Sequence, residues 1–293
     1  MALTNITATS NIAGNPREID FVTRFADNWQ GLMNIIGVTN MVEQAPGTSL
    51  HVKRGGIVLE SSPAEGTIVP LSQASVTDEA IGTIVLEKYS KEVTAEAIQK
   101  FGFDVAVGKT DNAFENSLRA KVMSKFYAFL STGTLTCSAS GFQATLALAI
   151  GNVINAFATL HLDITGVVGF CNINDFYTYL GSATISVQKE FGYTYIKNFL
   201  GCDVLFLCDN SSVASGTIYA TAIENLICYY CNPANGDLAR ADLNYTVDPV
   251  APIIGVHVRG DYDYVGSRMD ALLGMVMACE YLSGICVGTI NNA

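Results

Sequence analysis

The chain has 293 residues, a length that fits one large domain or two modest ones. Hydrophobic residues make up 49% of it and charged residues only 15%, against the roughly 25% charged residues usual in soluble domains. The net charge of −11 argues against a dedicated nucleic-acid reader, which would present a basic face, but not against a container that merely encloses nucleic acid.

The apolar runs are interrupted by Gly, Asn or charge, so we predict no membrane-spanning segment. The N-terminus also lacks the basic and then apolar pattern of a signal peptide. We therefore expect the eight cysteines to be reduced and buried as small apolar residues. An excess of apolar residues without a membrane predicts extensive contacts between subunits.

Residues 1–15 carry no charged side chain and are rich in Thr, Asn, Ser and Ala, which predicts an arm without a core. A helix should follow, because Asn15 precedes Pro16 at the first helical position and Glu18 occupies the capping-box position. Gly37 is the predicted end of this helix.

The segment from Gly47 to Gly102 has an unusual pattern: β segments at 50–53, 56–59 and 81–86 flank a polar hinge at 61–66 and residues 67–72. A strand pair with a tip rich in Gly and Pro is too thin to bury its own core. It must pack against something else, and we expect this to be another copy of the chain.

The remaining elements are predicted from hydrophobic periodicity and caps. The long helix should bury Phe114, Leu118, Val122, Phe126 and Phe129, and should pair Glu115 with Arg119 on its outer side. In chain order we predict a strand at 83–93, a short helix or turn at 94–101, the long helix at 110–132 ended by Gly133, a helix at 142–160, a strand at 167–171, a helix at 174–180, strands at 204–208, 218–220, 253–259 and 262–265, and helix then strand over 269–290.

Two motifs suggest chemistry. The segment Gly102–Thr110 is similar to a phosphate-binding loop, but five residues separate its glycines instead of four, and Phe103 stands where a Gly is needed. We interpret it as the lead-in to the long helix. The motif Cys228-Tyr229-Tyr230-Cys231 has apolar neighbours and no second Cys pair, so we predict core cysteines and not a metal or redox site.

No other catalytic pattern is present. The three His have no Ser, Cys or carboxylate in a recognisable arrangement around them, and Asp261 and Asp263 fit solvent-facing loop acids. The sequence therefore supports neither an enzyme nor a bound cofactor or metal.

Three segments carry a resemblance to a known family. They are 64–72, where Glu65-Gly66 precedes Pro70-Leu71-Ser72; 88–97, where a Lys-Tyr-Ser-Lys strand ends in Thr-Ala-Glu-Ala; and 170–176, which is similar to a strand-to-helix step with Ile173 in place of the usual Pro. With the order of elements over about 16–290, the chain resembles tailed-bacteriophage major capsid proteins of the HK97 fold.

The resemblance implies an α+β fold in four parts. These are an N-terminal arm and first helix (1–44), an extended β loop (45–83), a peripheral domain with a long spine helix (84–133 and 248–293), and a mixed α/β axial domain (134–247). It also implies no enzymatic activity, location in the virion after assembly in the host bacterial cytoplasm, and a portal. Because no removable segment precedes the arm, we expect a separate scaffolding protein.

The implied function is self-assembly into pentamers and hexamers of an icosahedral shell around double-stranded DNA, without sequence-specific binding or membrane contact. We expect a neighbouring copy to cover Ile57, Val58, Leu59, Gly66, Ile68, Val69, Pro70 and Leu71, while Lys53, Arg54, Glu60 and Glu65 provide charge pairs at the rim. Three alternatives are an encapsulin-like nanocompartment shell, a nucleotide-binding enzyme that uses Lys109 and Thr110, and a structural protein that forms tubes or sheets.

Overall fold

The computed structural model describes residue 32 and residues 37–182, 195–234, 238, 240–248 and 252–291. The predicted arm and most of the first predicted helix lie outside these residues, although Leu32 is helical and buried. In chain order the elements are β1 (Asn40–Glu43), β2 (Ser49–Val58), β3 (Gln73–Thr83), β4 (Glu87–Thr94), α1 (Ala95–Phe101), α2 (Lys109–Leu130), β5 (Leu135–Ser140), α3 (Phe142–Thr159), β6 (Val167–Asn172), α4 (Ile173–Ser182), β7 (Tyr195–Phe199), β8 (Cys202–Cys208), β9 (Thr217–Ala222), β10 (Ile227–Tyr230), β11 (Thr246–Val247), β12 (Ile254–Asp261), β13 (Gly266–Leu273), β14 (Met275–Ala278) and β15 (Ile285–Asn291).

The long helix α2 forms as predicted, with its apolar side turned inward. Leu118, Val122 and Phe126 follow at intervals of four residues and are buried, whereas Phe114 and Phe129 are only partly buried. The predicted pair also forms, because Arg119 Nη2 lies 3.3 Å from Glu115 Oε2, but the Arg119 side chain is only 11% exposed, so the pair does not lie on an outer side of the helix as predicted.

The segment that resembles a phosphate-binding loop is helical. Asp104–Gly108 form one π-helical turn that leads directly into α2, so their backbone amides do not surround a cavity for a phosphate. The hydroxyl of Thr110 donates to the carbonyl oxygen of Ala106 at 2.6 Å, and Lys91 donates to that same hydroxyl at 2.7 Å. The interpretation as a lead-in to the helix is confirmed, and this geometry does not favour nucleotide binding.

A six-stranded mixed sheet, in the order β5-β15-β9-β6-β8-β7, has helices on both faces. Helix α3 packs Leu146, Ile150 and Val153 against one face. Phe126 of α2 contacts Phe170 of β6 on the other face, with ring centroids 5.3 Å apart. All six residues of β6 are therefore buried, as in a strand covered on both sides.

The last strand, β15, belongs to this sheet, where it pairs with β5 and β9. This differs from the predicted division, in which the whole range 248–293 accompanied the peripheral part. Strand β5 was not predicted at all, because its sequence Leu-Thr-Cys-Ser-Ala-Ser has few strongly apolar side chains.

Two smaller sheets complete the fold. One is antiparallel in the order β11-β12-β13-β4, and the other joins β1, β10 and β14. The helix predicted within 269–290 is wrong, because this range contains β13, β14, the 3-10 turn Leu282–Gly284 and β15. The strand predicted at 262–265 is also wrong, since these residues form the turn between β12 and β13.

Helix α3 is long and apolar enough to cross a membrane by length and composition, contrary to the sequence-based expectation for this chain. Within the described residues it is instead the core helix of the six-stranded sheet. Its buried side includes Phe142, Leu146, Ile150, Val153 and Phe157, which recur at spacings of three or four residues. The apolar composition of α3 thus reflects packing against the sheet.

At two glycines, replacement by Ala should change the free energy of unfolding in opposite directions. A Cβ at Gly133 would lie 2.6 Å from the carbonyl oxygen of Ile285, so we expect Gly133→Ala to destabilise the subunit by about 1–3 kcal/mol. Gly151 lies in the middle of α3, and a Cβ there would meet nothing within 4 Å. Gly151→Ala should stabilise by about 0.5–1 kcal/mol, because Ala is the better helix former. Urea unfolding measures both, and equal effects would contradict this account.

The eight cysteines, all within described residues, are free thiols as predicted. Burial raises the pKa of Cys228 to about 12, and burial also raises the pKa of Cys231. Because the thiolate is the reactive form, we expect iodoacetamide to leave both residues unmodified in the folded chain and to modify both in urea. Mass spectrometry of the peptides measures this, and rapid modification in the folded chain would refute the core assignment.

Candidate assembly interface

The candidate interface is the antiparallel hairpin of β2 and β3. The strands pair from Ser49 opposite Thr83 to Val58 opposite Gln73, with one register shift between Leu50 and His51. Such a bulge bends and twists a strand pair locally. It lies at the end of the hairpin nearest the rest of the subunit.

Short polar contacts close the tip of the hairpin. The amide of Thr67 donates to the carbonyl oxygen of Ala64 at 3.2 Å, and Gly66 within this turn has φ +82°. A residue without a Cβ adopts this left-handed conformation at little cost. The amide of Glu60 donates to Ser72 Oγ at 3.1 Å, which holds the two sides of the tip together.

The base of the hairpin is anchored in a small hydrophobic cluster. Leu50 and Ile84 are buried there together with Cys231, and Leu86, Tyr229 and Val276 pack around them. This cluster joins the hairpin to β10 and β14 of the three-stranded sheet.

Beyond the base, the hairpin is exposed on both faces. Every residue from 55 to 80 except Pro63 is exposed, whereas a strand pair in a subunit core normally buries one face. Ile68 is 95% exposed and Leu71 is 93% exposed. We name as the tip patch the seven exposed apolar residues Ile57, Val58, Leu59, Ile68, Val69, Pro70 and Leu71. Exposed apolar residues gathered at one end of a hairpin are typical of interaction surfaces.

The predicted rim charges occupy two kinds of position. Glu60 and Glu65 are exposed at the tip, and Lys53 is exposed on β2 opposite Asp78. Arg54 instead contacts its own subunit, since its Nη1 donates to Glu79 Oε2 at 2.5 Å and its Nε donates to the carbonyl oxygen of Glu280 at 3.1 Å. The prediction that Arg54 pairs with a neighbour therefore does not match its geometry.

Several exposed apolar positions, Val76 and Tyr262 among them, escaped the sequence analysis. Val76 of β3 lies in a stretch of polar residues, so alternation gave no sign of it. Tyr262 is 93% exposed in the turn between β12 and β13, next to the exposed Val265. Of the two acids predicted to face solvent, Asp263 is exposed in the turn, whereas Asp261 ends β12 with a side chain only 10% exposed and pairs with Arg268 at 3.8 Å. The two flanking acids do not reveal the exposed aromatic side chain of Tyr262.

Within the described residues, no group of three or more His, Cys, Asp or Glu could hold a metal ion. Asp78 and Glu79 of β3 are instead engaged across the strands. His51 Nδ1 lies 3.1 Å from Asp78 Oδ1, and Glu79 accepts from Arg54. The hairpin is thus apolar at its tip and carries polar contacts between its strands.

No protein-family model and no curated protein matches the chain. Solved structures do match over nearly the whole length. The mature capsid of bacteriophage PhiM1 aligns with a TM-score of 0.61 and 10% identity, covering 97% of this chain and 93% of that one. The capsid of cyanophage P-SCSP1u aligns with a TM-score of 0.60 and 10% identity, covering 96% and 93%.

A third similar structure is the holo-SrpI encapsulin complex of Synechococcus elongatus PCC 7942, with a TM-score of 0.58 and 9% identity over 92% of each chain. At such low identity the likeness concerns the fold alone. The chain therefore has the HK97-like α+β fold of phage capsid and encapsulin shell proteins, which confirms the fold predicted from the sequence.

Proposed function

We propose that this chain is a structural major capsid protein that assembles into the pentamers and hexamers of an icosahedral shell enclosing double-stranded DNA. The observation that carries the proposal is the hairpin, exposed on both faces from 55 to 80 and ending in the tip patch. Burying one large apolar side chain contributes about 1.5–3 kcal/mol, so a neighbouring copy gains most by covering this patch. The role is structural and not enzymatic.

In this proposal the hairpin lies across an adjacent copy. Ile57, Val58, Leu59, Gly66, Ile68, Val69, Pro70 and Leu71 contact the neighbour, while Lys53, Glu60 and Glu65 set the register at the rim of the contact. Such exposed charges contribute more to specificity than to affinity.

We retain four parts: arm and first helix (1–44), extended loop (45–83), peripheral domain and axial domain. The peripheral domain combines 84–133 with 248–284, and the axial domain is 134–247 with β15 added to it. The antiparallel sheet of β4, β11, β12 and β13 supports the peripheral unit, and the six-stranded sheet supports the axial unit. Axial units meet around the capsomer axes, and peripheral units meet where capsomers join.

The resemblance extends the proposal to partners and location. A scaffolding protein and a portal take part in assembly, which occurs in the cytoplasm of a bacterial host, and the product is the virion. The enclosed DNA is held without sequence-specific contacts, in keeping with the net charge of −11, which disfavours tight binding to phosphates.

An encapsulin-like nanocompartment is the second candidate, favoured by the similarity to the SrpI encapsulin complex. The two candidates share the shell and differ in its contents, which are DNA for a virion and an enzyme cargo for a nanocompartment.

Electron microscopy of the purified chain, with sedimentation to measure its mass, tests the shell directly. Closed polyhedral particles, or rings of five and six subunits, are the expected result. Nuclease-protected DNA inside particles isolated from the native source would favour the virion, and a protein cargo would favour the nanocompartment. A monomer that stays monomeric together with its scaffolding protein would refute the proposal.

A further inference from the structure

Arg54 forms a second connection between the hairpin and the subunit. Its guanidinium donates through Nε and Nη2 to the carbonyl oxygen of Glu280, and through Nη1 to Glu79 on the facing strand. The same group lies over the ring of Tyr281, 5.3 Å from the ring centroid. One planar side chain thus joins β2, β3 and the segment that follows β14.

The segment that Arg54 contacts is itself held firmly. The amide of Tyr281 donates to Asn225 Oδ1 at 2.9 Å, and Asn225 Nδ2 donates to the carbonyl oxygen of Tyr281 at 2.8 Å. The Tyr281 ring also packs edge-on against Phe157 of α3, with centroids 6.1 Å apart. Asn225 is buried, so this attachment point belongs to the rigid part of the subunit.

We propose that Arg54 is a positioning residue that fixes the angle of the hairpin relative to the subunit. The proposal rests on the proposed function, because it assigns a determinant of how the hairpin reaches its neighbour. The cluster of Leu50, Ile84 and Cys231 is one attachment, around which a thin strand pair can pivot. The contact at Glu280 and Tyr281 is a second attachment, and two separated attachments determine a direction.

The length of the hairpin makes this direction important for assembly. Strands rise about 3.3 Å per residue, so a small rotation at Arg54 becomes a displacement of several ångströms at the tip patch. Arg suits the role because its planar fork donates in several fixed directions at once, whereas the ammonium of Lys has no such fork. Lys53, the adjacent residue, is exposed and forms no ion pair within the described residues. Its proposed role lies in the contact with a neighbouring copy, so in unassembled subunits it is a matched control.

The test measures a distance distribution in the full-length chain. Spin labels are introduced as non-natural amino acids at the exposed Ser62 of the tip and the exposed Ser124 of α2, because eight native cysteines preclude thiol labelling. Labelled chain is diluted into a large excess of unlabelled chain, so that only pairs within one subunit contribute to pulsed electron resonance.

We expect Arg54→Ala to widen the distance distribution at least about twofold, as loss of a tertiary anchor does for a peripheral segment. Arg54→Lys, which keeps the charge near Glu79, should widen it as well, and Lys53→Ala should leave it unchanged. Particles assembled from Arg54→Ala should vary more in diameter than wild-type particles.

An unchanged distribution in Arg54→Ala, or an equal widening in Lys53→Ala, would overturn the proposal. The distance is measured in unassembled subunits, at a concentration where sedimentation shows no particles, so no neighbouring copy restrains the tip and the result does not depend on whether a shell forms. If the wild-type chain forms no closed particle even together with its scaffolding protein, while Arg54→Ala still widens the distribution, the proposed function fails and the positioning role of Arg54 within the subunit stands.

Discussion

Replacing Ile68 and Leu71 together with Asp is expected to abolish closed particles while leaving the subunit folded. Both side chains are more than nine-tenths exposed, at 95% and 93%, so they contribute almost nothing to the fold of one copy. Substitutions at such positions usually change the free energy of unfolding by no more than about 0.5 kcal/mol. The effect on assembly is large, because each contact loses apolar burial and must instead desolvate two carboxylates.

The contrast between assembly and folding is measured on the same preparations. Electron microscopy and sedimentation report particles, and urea unfolding reports the stability of the subunit. Val85→Asp is the matched control, since Val85 is 66% exposed but lies outside the tip patch. We expect Val85→Asp to assemble normally. If the double variant formed closed particles in the same yield as wild type, the tip patch would not be part of the interface.

Two single substitutions examine the tip more finely. Pro70→Asp adds a charge to the patch without altering a core contact, since Pro70 is exposed. Gly66→Val forces a β-branched residue to φ +82°, a left-handed conformation that costs an L residue about 1–2 kcal/mol. Both should reduce closure less than the double variant does, with Gly66→Val acting through the shape of the turn. Normal particles from both would contradict this account of the tip.

The sequence predicts the hairpin and the long helix because their signals are local. The spacing of Leu118, Val122 and Phe126 specifies the buried side of α2 without knowledge of any other element. The hydroxyl of Thr94 accepts from the amide of Ala97 at 3.4 Å and caps α1, in agreement with the short helix predicted there. The apolar residues of the tip are recognisable in the sequence because they flank a turn that contains Gly and Pro.

The extent of β3 could not be predicted in this way. The strand runs from Gln73 to Thr83, although the pattern indicated a strand only from 81 to 86. Residues 73–80 are exposed on both faces, so they show no alternation of apolar and polar side chains. Their strand conformation comes from backbone pairing with β2, which is a property of the pair and not of either segment.

The C-terminal strands were hard to predict for a different reason, because their apolar pattern is strong but does not distinguish a strand from a helix. The sequence of β14, Met-Val-Met-Ala, is apolar throughout, and a short apolar run fits a buried helix as well as a buried strand. The pairing of β15 with β5 joins residues about 150 positions apart, as in Cys286 beside Leu135. The contact of Arg54 with Glu280 is similarly remote, and a charged residue on an exposed hairpin gives no local sign of a partner in its own subunit.

The second large predicted effect concerns the stability of the subunit. It involves an ion pair between α2 and the edge of the four-stranded sheet. Arg119 Nε and Nη2 donate to the two carboxylate oxygens of Asp248 at 2.7 and 3.0 Å. The side chain of Asp248 is only 1% exposed and that of Arg119 11% exposed, so water screens this pair little. Burial also raises the pKa of the neighbouring Glu115, which shows how costly charge is in this environment.

We expect Asp248→Ala to destabilise the subunit by about 3 kcal/mol, the lower end of the range for breaking a buried ion pair, because the Arg119 guanidinium loses its bidentate partner but keeps its contact with Glu115. Asp248→Asn keeps the shape and removes only the charge, so its effect should be intermediate. The control is Asp263→Ala at an exposed turn position, which should change the free energy of unfolding by less than about 0.5 kcal/mol. Urea unfolding at neutral pH measures all three.

The same substitution distinguishes a defect of the subunit from a defect of assembly. Asp248 follows β11, and its amide donates to the carbonyl oxygen of Ile254 at 2.8 Å, so the ion pair holds the β11–β12 edge against α2. Asp248→Ala should therefore lower the yield of particles by depleting folded subunits, and a lower assembly temperature should partly restore it. The Ile68 and Leu71 double variant should not recover on cooling, because its subunits are already folded. Equal stability of Asp248→Ala and wild type would show that the Arg119–Asp248 pair is dispensable. If the double variant recovered particle assembly on cooling, its defect would lie in the folding of the subunit and not in the contact that the tip makes.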